Sequence, residues 1–231
     1  VVSFLLFLLL LGWTNHLANT QDAQQMAGRW SEKKDVAQIS CFFSSKAEVT
    51  EDTIQSFEYS LKNVLQEASI TETSENPSAR LWVDAYSADG KITLVNGKNT
   101  LDANAIGIGG DFFMFHPLKL ITGAYFSGND LMQDYCIIDQ DAAWQLFGSN
   151  DVVGMTVYIG NVPHIVTGVV QRPDSRMDKA AGLNSTVVYV SYETLSAYGT
   201  NNGINHYEIV MPNPVDEFAY GKVKEGIGID E

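Results

Sequence analysis

The chain has 231 residues, 45% of them hydrophobic, with 14 basic side chains against 28 acidic ones and a net charge of -14. That length suffices for one large domain or two small ones with real hydrophobic cores. So strong an acidic balance repels nucleic acid and leaves no polybasic patch for lipid headgroups, which disfavours nucleic-acid binding.

Val1 through Trp13 carry no charge. A spanning helix needs about 20 apolar residues and a signal-peptide core about 7 to 15, so length leaves the segment open between them. A secretory signal would place basic residues before the run and a small-x-small site after it. Here the basic part is absent, and His16-Leu17-Ala18 is a poor site. Trp13 stands where an interfacial aromatic would. The expectation is a truncated transmembrane helix over 1–13, with a signal peptide or a buried core helix as alternatives. Residues 14–34 then read as a stalk or linker. Leu17, Ala23, Met26 and Trp30 recur at loosely helical spacing, but Asn, Thr and Gly28 are poor helix formers, so a disordered linker competes with a helical stalk. No second apolar run approaches spanning length, so the remainder reads as water-soluble.

Val36 to Phe43 reads as a strand. Thr50 is a good N-cap, Glu51 and Asp52 suit a first helical turn, and Ile54, Phe57, Leu61, Val64, Leu65 and Ala68 form a stripe at helical period. Asn76-Pro77 lies in the loop that ends this helix. Leu81 to Tyr86 and Ile92 to Val95 are predicted as two short strands around the turn signal Ala88-Asp89-Gly90-Lys91. The first stretch is thus β-α-β-β.

The middle is mostly β. Tyr135 to Ile138 predicts a strand, and about Asp141 to Phe147 a helix closed by Gly148. Met155 to Ile159 and His164 to Val170 form a hairpin around Gly160-Asn161, and Val187 to Val190 is a further strand. Arg172 to Ser185 is polar and reads as a mobile loop. Tyr192 to Tyr198 follows as a helical turn and Tyr207 to Met211 as a strand. A last helix is expected to start at Asn213-Pro214, with Val215, Phe218, Ala219 and Val223 on one side.

The usual reactive constellations are missing. The sequence holds no His-Glu-x-x-His, no Cys-x-x-Cys and no Gly-x-Ser-x-Gly, the signatures of zinc proteases, zinc ribbons and hydrolase elbows. Gly107-Ile108-Gly109-Gly110-Asp111-Phe112 puts Phe where a dinucleotide fingerprint needs its third Gly. Gly97-Lys98-Asn99-Thr100 lacks the earlier Gly and the Ser or Thr of a P-loop. His16, His116, His164 and His206 are scattered, and only His206-Tyr207-Glu208 sets a carboxylate within two residues of a histidine. Asp139-Gln140-Asp141 suits a cation, but acidic residues opening a helix are also what its dipole favours. Asn184-Ser185-Thr186 is a glycosylation sequon, relevant only in a host that modifies secreted proteins. Cys41 and Cys136 sit in apolar, strand-like surroundings. A disulfide between them is allowed outside the cytoplasm, while an isolated core cysteine more often acts as a small hydrophobe. No catalytic, cofactor or metal-binding residue is assigned.

One stretch is more specific. Gly110-Asp111-Phe112-Phe113, then Leu118-Lys119-Leu120-Ile121-Thr122-Gly123-Ala124-Tyr125-Phe126 and Asp130, resemble a segment of the MacB-like extracytoplasmic core domain of MacB/FtsX-type ABC transporter permeases. Cys136-Ile137-Ile138-Asp139, Ala142-Ala143, Leu146-Phe147-Gly148, Val153-Gly154-Met155, Val157 to Ile159 and Ile165 to Val170 continue the resemblance in the same order. Ala124 departs from it, because a basic residue is common there. The resemblance implies an α+β fold: a βαβ-containing porter-like subdomain formed from both ends of the chain (35–104 and 192–231), with a mostly β subdomain (105–191) inserted in the middle. It further implies a plasma-membrane protein with this domain on the extracytoplasmic side, no enzymatic activity of its own, and no cofactor. Its implied partners are the membrane, a cytoplasmic ABC ATPase reached through parts of the protein outside this chain, and a second permease in a homo- or heterodimer. A secreted or anchored binding module for a peptide or glycan, and an extracellular hydrolase, are the rival readings.

Overall fold

The computed structural model describes residues 2–19, 21–31, 35–71, 80–172, 180 and 185–228. Helix α1 (Val2–Asn19) holds its large apolar side chains open to solvent, with Leu9 71% exposed. Among the described residues no helix is long and apolar enough to cross a membrane. The next segment lies on the body of the protein. A 3-10 turn (Asp22–Gln24) leads into α2 (Met26–Trp30), whose Met26 is only 2% exposed. The Met26 amide donates to Gln38 Oε1 at 3.0 Å, and Gln38 Nε2 donates to the Ala23 carbonyl at 2.6 Å. Arg29 donates to the carbonyls of Asp22 (2.7 Å) and Met114 (2.6 Å). Propensity here is weak, and burial of Met26 is what fixes the segment.

Strand β1 (Val36–Phe42) precedes α3 (Glu51–Glu67), which Thr50 caps by accepting from the Thr53 amide at 3.3 Å. Ile54, Phe57, Leu61 and Leu65 are buried as their spacing demands, while Ala68 is exposed beyond the helix end. Asn76-Pro77 lies outside the described residues.

The expected hairpin at Asp89-Gly90 is not formed. β2 (Val83–Asn96) runs straight through it and turns only at Gly97-Lys98, to return as β3 (Asn99–Gly110). Gly97 has φ +60, the positive value that the first central residue of a type II′ turn requires. Gly90 serves close packing instead: a Cβ there would lie 2.3 Å from the Thr200 carbonyl oxygen of β9 (Thr200–Asn201).

After the short α4 (Phe112–Phe115) come β4 (Leu120–Gly123), β5 (Tyr135–Asp139) and α5 (Gln140–Phe147), the last ended by Gly148 in the left-handed region. β6 (Thr156–Ile159) and β7 (Val162–Val170) form the expected hairpin around Gly160-Asn161. β8 (Val187–Ser191), α6 (Tyr192–Tyr198) and β10 (His206–Pro212) follow. Residues 173–179 and 181–184, which include most of the expected mobile loop and Asn184 of the sequon, lie outside the described residues. The last helix, α7 (Phe218–Ile227), starts later than Asn213-Pro214 suggested. Glu217 has φ +63, which interrupts any helical run from Pro214, and Val215 is 63% exposed. Asn213 still contributes a cap, because its Oδ1 accepts from the Ala219 amide at 3.0 Å.

All strands join one mixed sheet in the order β1-β10-β2-β3-β8-β5-β7-β4. β1 and β2 are both antiparallel to β10, hence parallel to each other, and α3 connects them: a split β-α-β unit. At the far end of β2, Leu94 and Val95 pair with Ile159 and Tyr158 of β6, which closes a circuit of pairings through β2, β3, β8, β5, β7 and β6. Leu94, Ile138, Val166 and Val190, with Leu146 of α5, form the core of that closed part. A second core lies between α3, α7 and the open part of the sheet around Tyr207, Ile209 and Met211. The opposite face of the open part is covered by Met26 and by Phe112, Phe113 and Phe115 of α4.

Candidate functional site

The glycine-rich stretches that fall short of phosphate-binding motifs have packing roles. A Cβ on Gly107 would meet Leu195 at 2.7 Å, and one on Gly109 would strike the Tyr86 ring at 2.0 Å. Gly110 has φ +64 and lies against the Asp84 carbonyl oxygen, at 2.5 Å from a would-be Cβ. These glycines let β2, β3 and α6 approach closely, while Gly97-Lys98 is the hairpin turn described above.

Asp139 and Asp141 do share a cation, and it is a side chain. Asp139 is 2% exposed. Its Oδ1 caps α5 by accepting from the Ala142 amide at 2.7 Å, and its Oδ2 accepts from Arg172 Nη2 and the Val187 amide, both at 3.1 Å. Arg172 Nη1 reaches Asp141 Oδ2 at 2.6 Å. The guanidinium occupies the place a metal would take, and among the described residues no group of His, Cys, Asp and Glu could hold a metal ion.

His164 is buried on β7. Its Nδ1 lies 3.0 Å from the Val162 carbonyl and its Nε2 3.1 Å from Thr194 Oγ1. Ser191 and Thr194 hydroxyls both donate to the Gln133 carbonyl. This resembles a nucleophile-base pair, but the ring is oriented by a backbone carbonyl and the hydroxyls are spent on fixing α6. Desolvation lowers the His164 pKa, against the opposing pull of the Val162 carbonyl and Asp134. Cys41 and Cys136 are free and buried in different cores; burial raises their thiol pKa values to about 11 and about 12, and Glu208 adds to the rise at Cys41.

A titratable cluster joins α3 to the sheet. Tyr207 Oη donates to Asp84 Oδ2 at 3.0 Å, and Tyr86 Oη donates to Glu51. Burial first, then the charge of Glu58, raises the Asp84 pKa to about 8. A hydrogen bond with Glu58 adds to the rise, and the Tyr207 hydroxyl opposes it.

A cleft of about 660 Å³ that carries converging polar groups lies on the α2/α4 face of the sheet. Alternation along the strands brings Ser40 and Phe42 of β1, Ser87 and Asp89 of β2, and His206 and Glu208 of β10 onto that face. Ile106 and Tyr189 complete the floor; Phe112, His116 and Leu118 form one wall, and Ala23 and Gln24 of the docked N-terminal segment another. Glu208 accepts from Ser40 Oγ at 2.9 Å and is hydrogen-bonded to His116 Nε2. Burial pushes its pKa up, but the hydrogen bonds and charge of His116 and the Ser40 hydroxyl outweigh this and hold it below the ordinary value. His206 and Glu208 do share a face, as their spacing implies. The partner that actually bonds Glu208, however, is 92 residues away in sequence, and no local signal marks His116.

Comparison with known proteins agrees with this architecture. The family model of the MacB-like periplasmic core domain matches residues 5–231. The macrolide export ATP-binding/permease protein MacB of Chromobacterium violaceum is 32% identical over 99 residues, 42% of this chain and 15% of that protein. The protein of the same name from a Shewanella species is 31% identical over 161 residues, 65% of this chain and 24% of its own length. The chain therefore spans a quarter or less of these relatives. Among solved structures, the extracellular domain of the noncanonic ABC-type transporter YknZ from Gram-positive bacteria aligns with a TM-score of 0.51 at 17% identity, over 84% of this chain and 97% of that one. That is a likeness of fold. With a family match over nearly its whole length, the chain belongs to the MacB-like periplasmic core domains.

Proposed function

We propose that the chain is the non-catalytic extracytoplasmic domain of an ABC transporter permease in the plasma membrane, and that it passes ATPase-driven movement to the far side of the membrane. The observation that carries the reading is the family match over residues 5–231. Three structural features support it. The apolar residues of α1 face solvent all round, as the outer part of a membrane-anchoring helix would. The docked segment 21–31 ties the start of β1 to the sheet through Met26 and Gln38, so a force on α1 reaches the core rather than being lost in a loose linker. Finally, the start of β1 and the end of β10, which leads into α7, meet at one corner: Val36 pairs with Pro212, and the Asn213 amide donates to the Asp35 carbonyl at 2.8 Å. Two neighbouring connections at one corner suit a domain set between membrane helices.

On this reading residues 35–104 and 192–231 act as the porter-like part and 105–191 as the inserted, mostly β part, with β2 and β3 as the stiff elements common to both. The partners are a cytoplasmic ABC ATPase and a second permease. The coding sequence beyond residue 231 provides the test. Further apolar spans of about 20 residues each are expected, and an ABC ATPase should co-purify with the intact protein. An immediate stop codon, or an intact protein that never associates with an ATPase, would refute the proposal.

A further inference from the structure

We infer that the cleft between the docked N-terminal segment and α4 binds a bulky aromatic or aliphatic monocation. The inference rests on the cleft's own chemistry and holds whether or not the domain transmits motion. At about 660 Å³ the cleft is within the range of small-molecule sites, mainly apolar with a few converging polar groups. Among the described residues that line it there are two carboxylates, Asp89 and Glu208, and no Lys or Arg. Glu208 is partly compensated by His116, but among the described residues the Asp89 carboxylate is bonded to a neutral amide alone, Asn205 Nδ2, at 2.6 Å. The chain as a whole carries a net charge of -14, and a concave, low-dielectric wall focuses that field on whatever enters.

Aromatic faces supply the second attraction. Phe42 stands 76% exposed at the rim, held edge-on against His206 at a centroid distance of 5.0 Å, and Phe112 and Tyr189 lie deeper. Three rings beside two carboxylates is the lining that a large, weakly hydrated cation recognises through cation-π contact and Coulomb attraction together. An anion of the same size meets the same apolar surface but the opposite field.

The experiment uses that pair. The whole chain is held in nanodiscs of uncharged lipid and titrated calorimetrically with tetraphenylphosphonium and with tetraphenylborate, ions of matched size and opposite charge, with empty nanodiscs subtracted. We expect saturable binding of the phosphonium, about tenfold tighter than the borate. Asp89→Asn, an exposed and isosteric change, should remove most of that preference, and Asp89→Asn with Glu208→Gln should abolish it while the borate is unaffected or binds better. Equal or tighter borate binding to the unmodified chain overturns the inference without any variant. So does phosphonium uptake no greater than that of empty nanodiscs, or a charge preference unchanged in the folded Asp89→Asn protein.

Discussion

Replacing Arg172 by Met isolates the one buried ion pair that the sequence presented as a metal site. Asp139 would keep its two backbone donors, Ala142 and Val187, but lose the one cation that reaches it among the described residues while remaining 2% exposed. Breaking a buried pair from one side typically costs about 3–5 kcal/mol, and the two surviving donors place this case at the low end, about 3 kcal/mol. For a domain of this size that is a fall of about 6–12 °C in Tm. The second partner, Asp141, has a 43% exposed side chain, so Asp141→Asn should cost about 1 kcal/mol or less. The informative variant is Arg172→Met with Asp139→Asn. It removes the stranded charge and keeps an acceptor for the α5 cap, so stability should recover to within about 1 kcal/mol of the parent. Urea unfolding of the parent, Arg172→Met, Asp139→Asn and the double variant closes the cycle. A loss below about 1 kcal/mol for Arg172→Met, or losses that simply add in the double variant, would show that the pair is not the buried, coupled unit described.

The Asp84 cluster predicts a pH dependence of definite sign. Its folded pKa of about 8 stands above the ordinary 3.8, so its stabilising contribution is complete below about pH 4 and is lost as pH rises through about 8. Urea midpoints should fall between about pH 5 and about pH 9, and Asp84→Asn should flatten that fall; an unchanged slope would refute the raised Asp84 pKa. Gly128→Ala would set a Cβ 2.4 Å from Gly109 Cα and 2.6 Å from the Gly110 nitrogen, both backbone. A loss of at least about 2 kcal/mol in thermal or urea unfolding is expected, since the strands cannot yield as side chains do. Met26→Ala should cost about 2–3 kcal/mol and increase amide exchange over residues 21–31 ahead of the sheet, whereas a stability unchanged from the parent would mean that the segment is not docked. Both thiols should resist labelling in the native chain and react fully once it is denatured. Disulfide mass in place of two free thiols would contradict the separate burial of Cys41 and Cys136.

Local signals were legible where the chain itself bears the cost of a choice. The Thr50 cap, the α3 stripe up to Leu65, Gly148 ending α5, and the Gly160-Asn161 turn are each decided within a few residues and appear as read, while Ala68 falls outside the helix. Motif order from Gly110 to Val170 was enough to identify the family. Asp89-Gly90 misled because a turn signal competes with pairing on both sides of a 14-residue strand, and the pairing wins. Asn213-Pro214 misled because the corner with Asp35 holds that backbone at the sheet end until Phe218.

The sequence by itself determined the apolar first helix, the acidic charge balance, the strands β1 and β10, and the absence of any familiar catalytic motif. Only the tertiary structure decided which groups meet. Arg172 reaches Asp139 and Asp141 across 33 residues or fewer, His116 reaches Glu208 across 92, and β6 closes the circuit onto β2. Those contacts depend on strand order, and strand order is set by the total burial that one arrangement achieves over its rivals, a sum over the whole chain that no short window of residues contains.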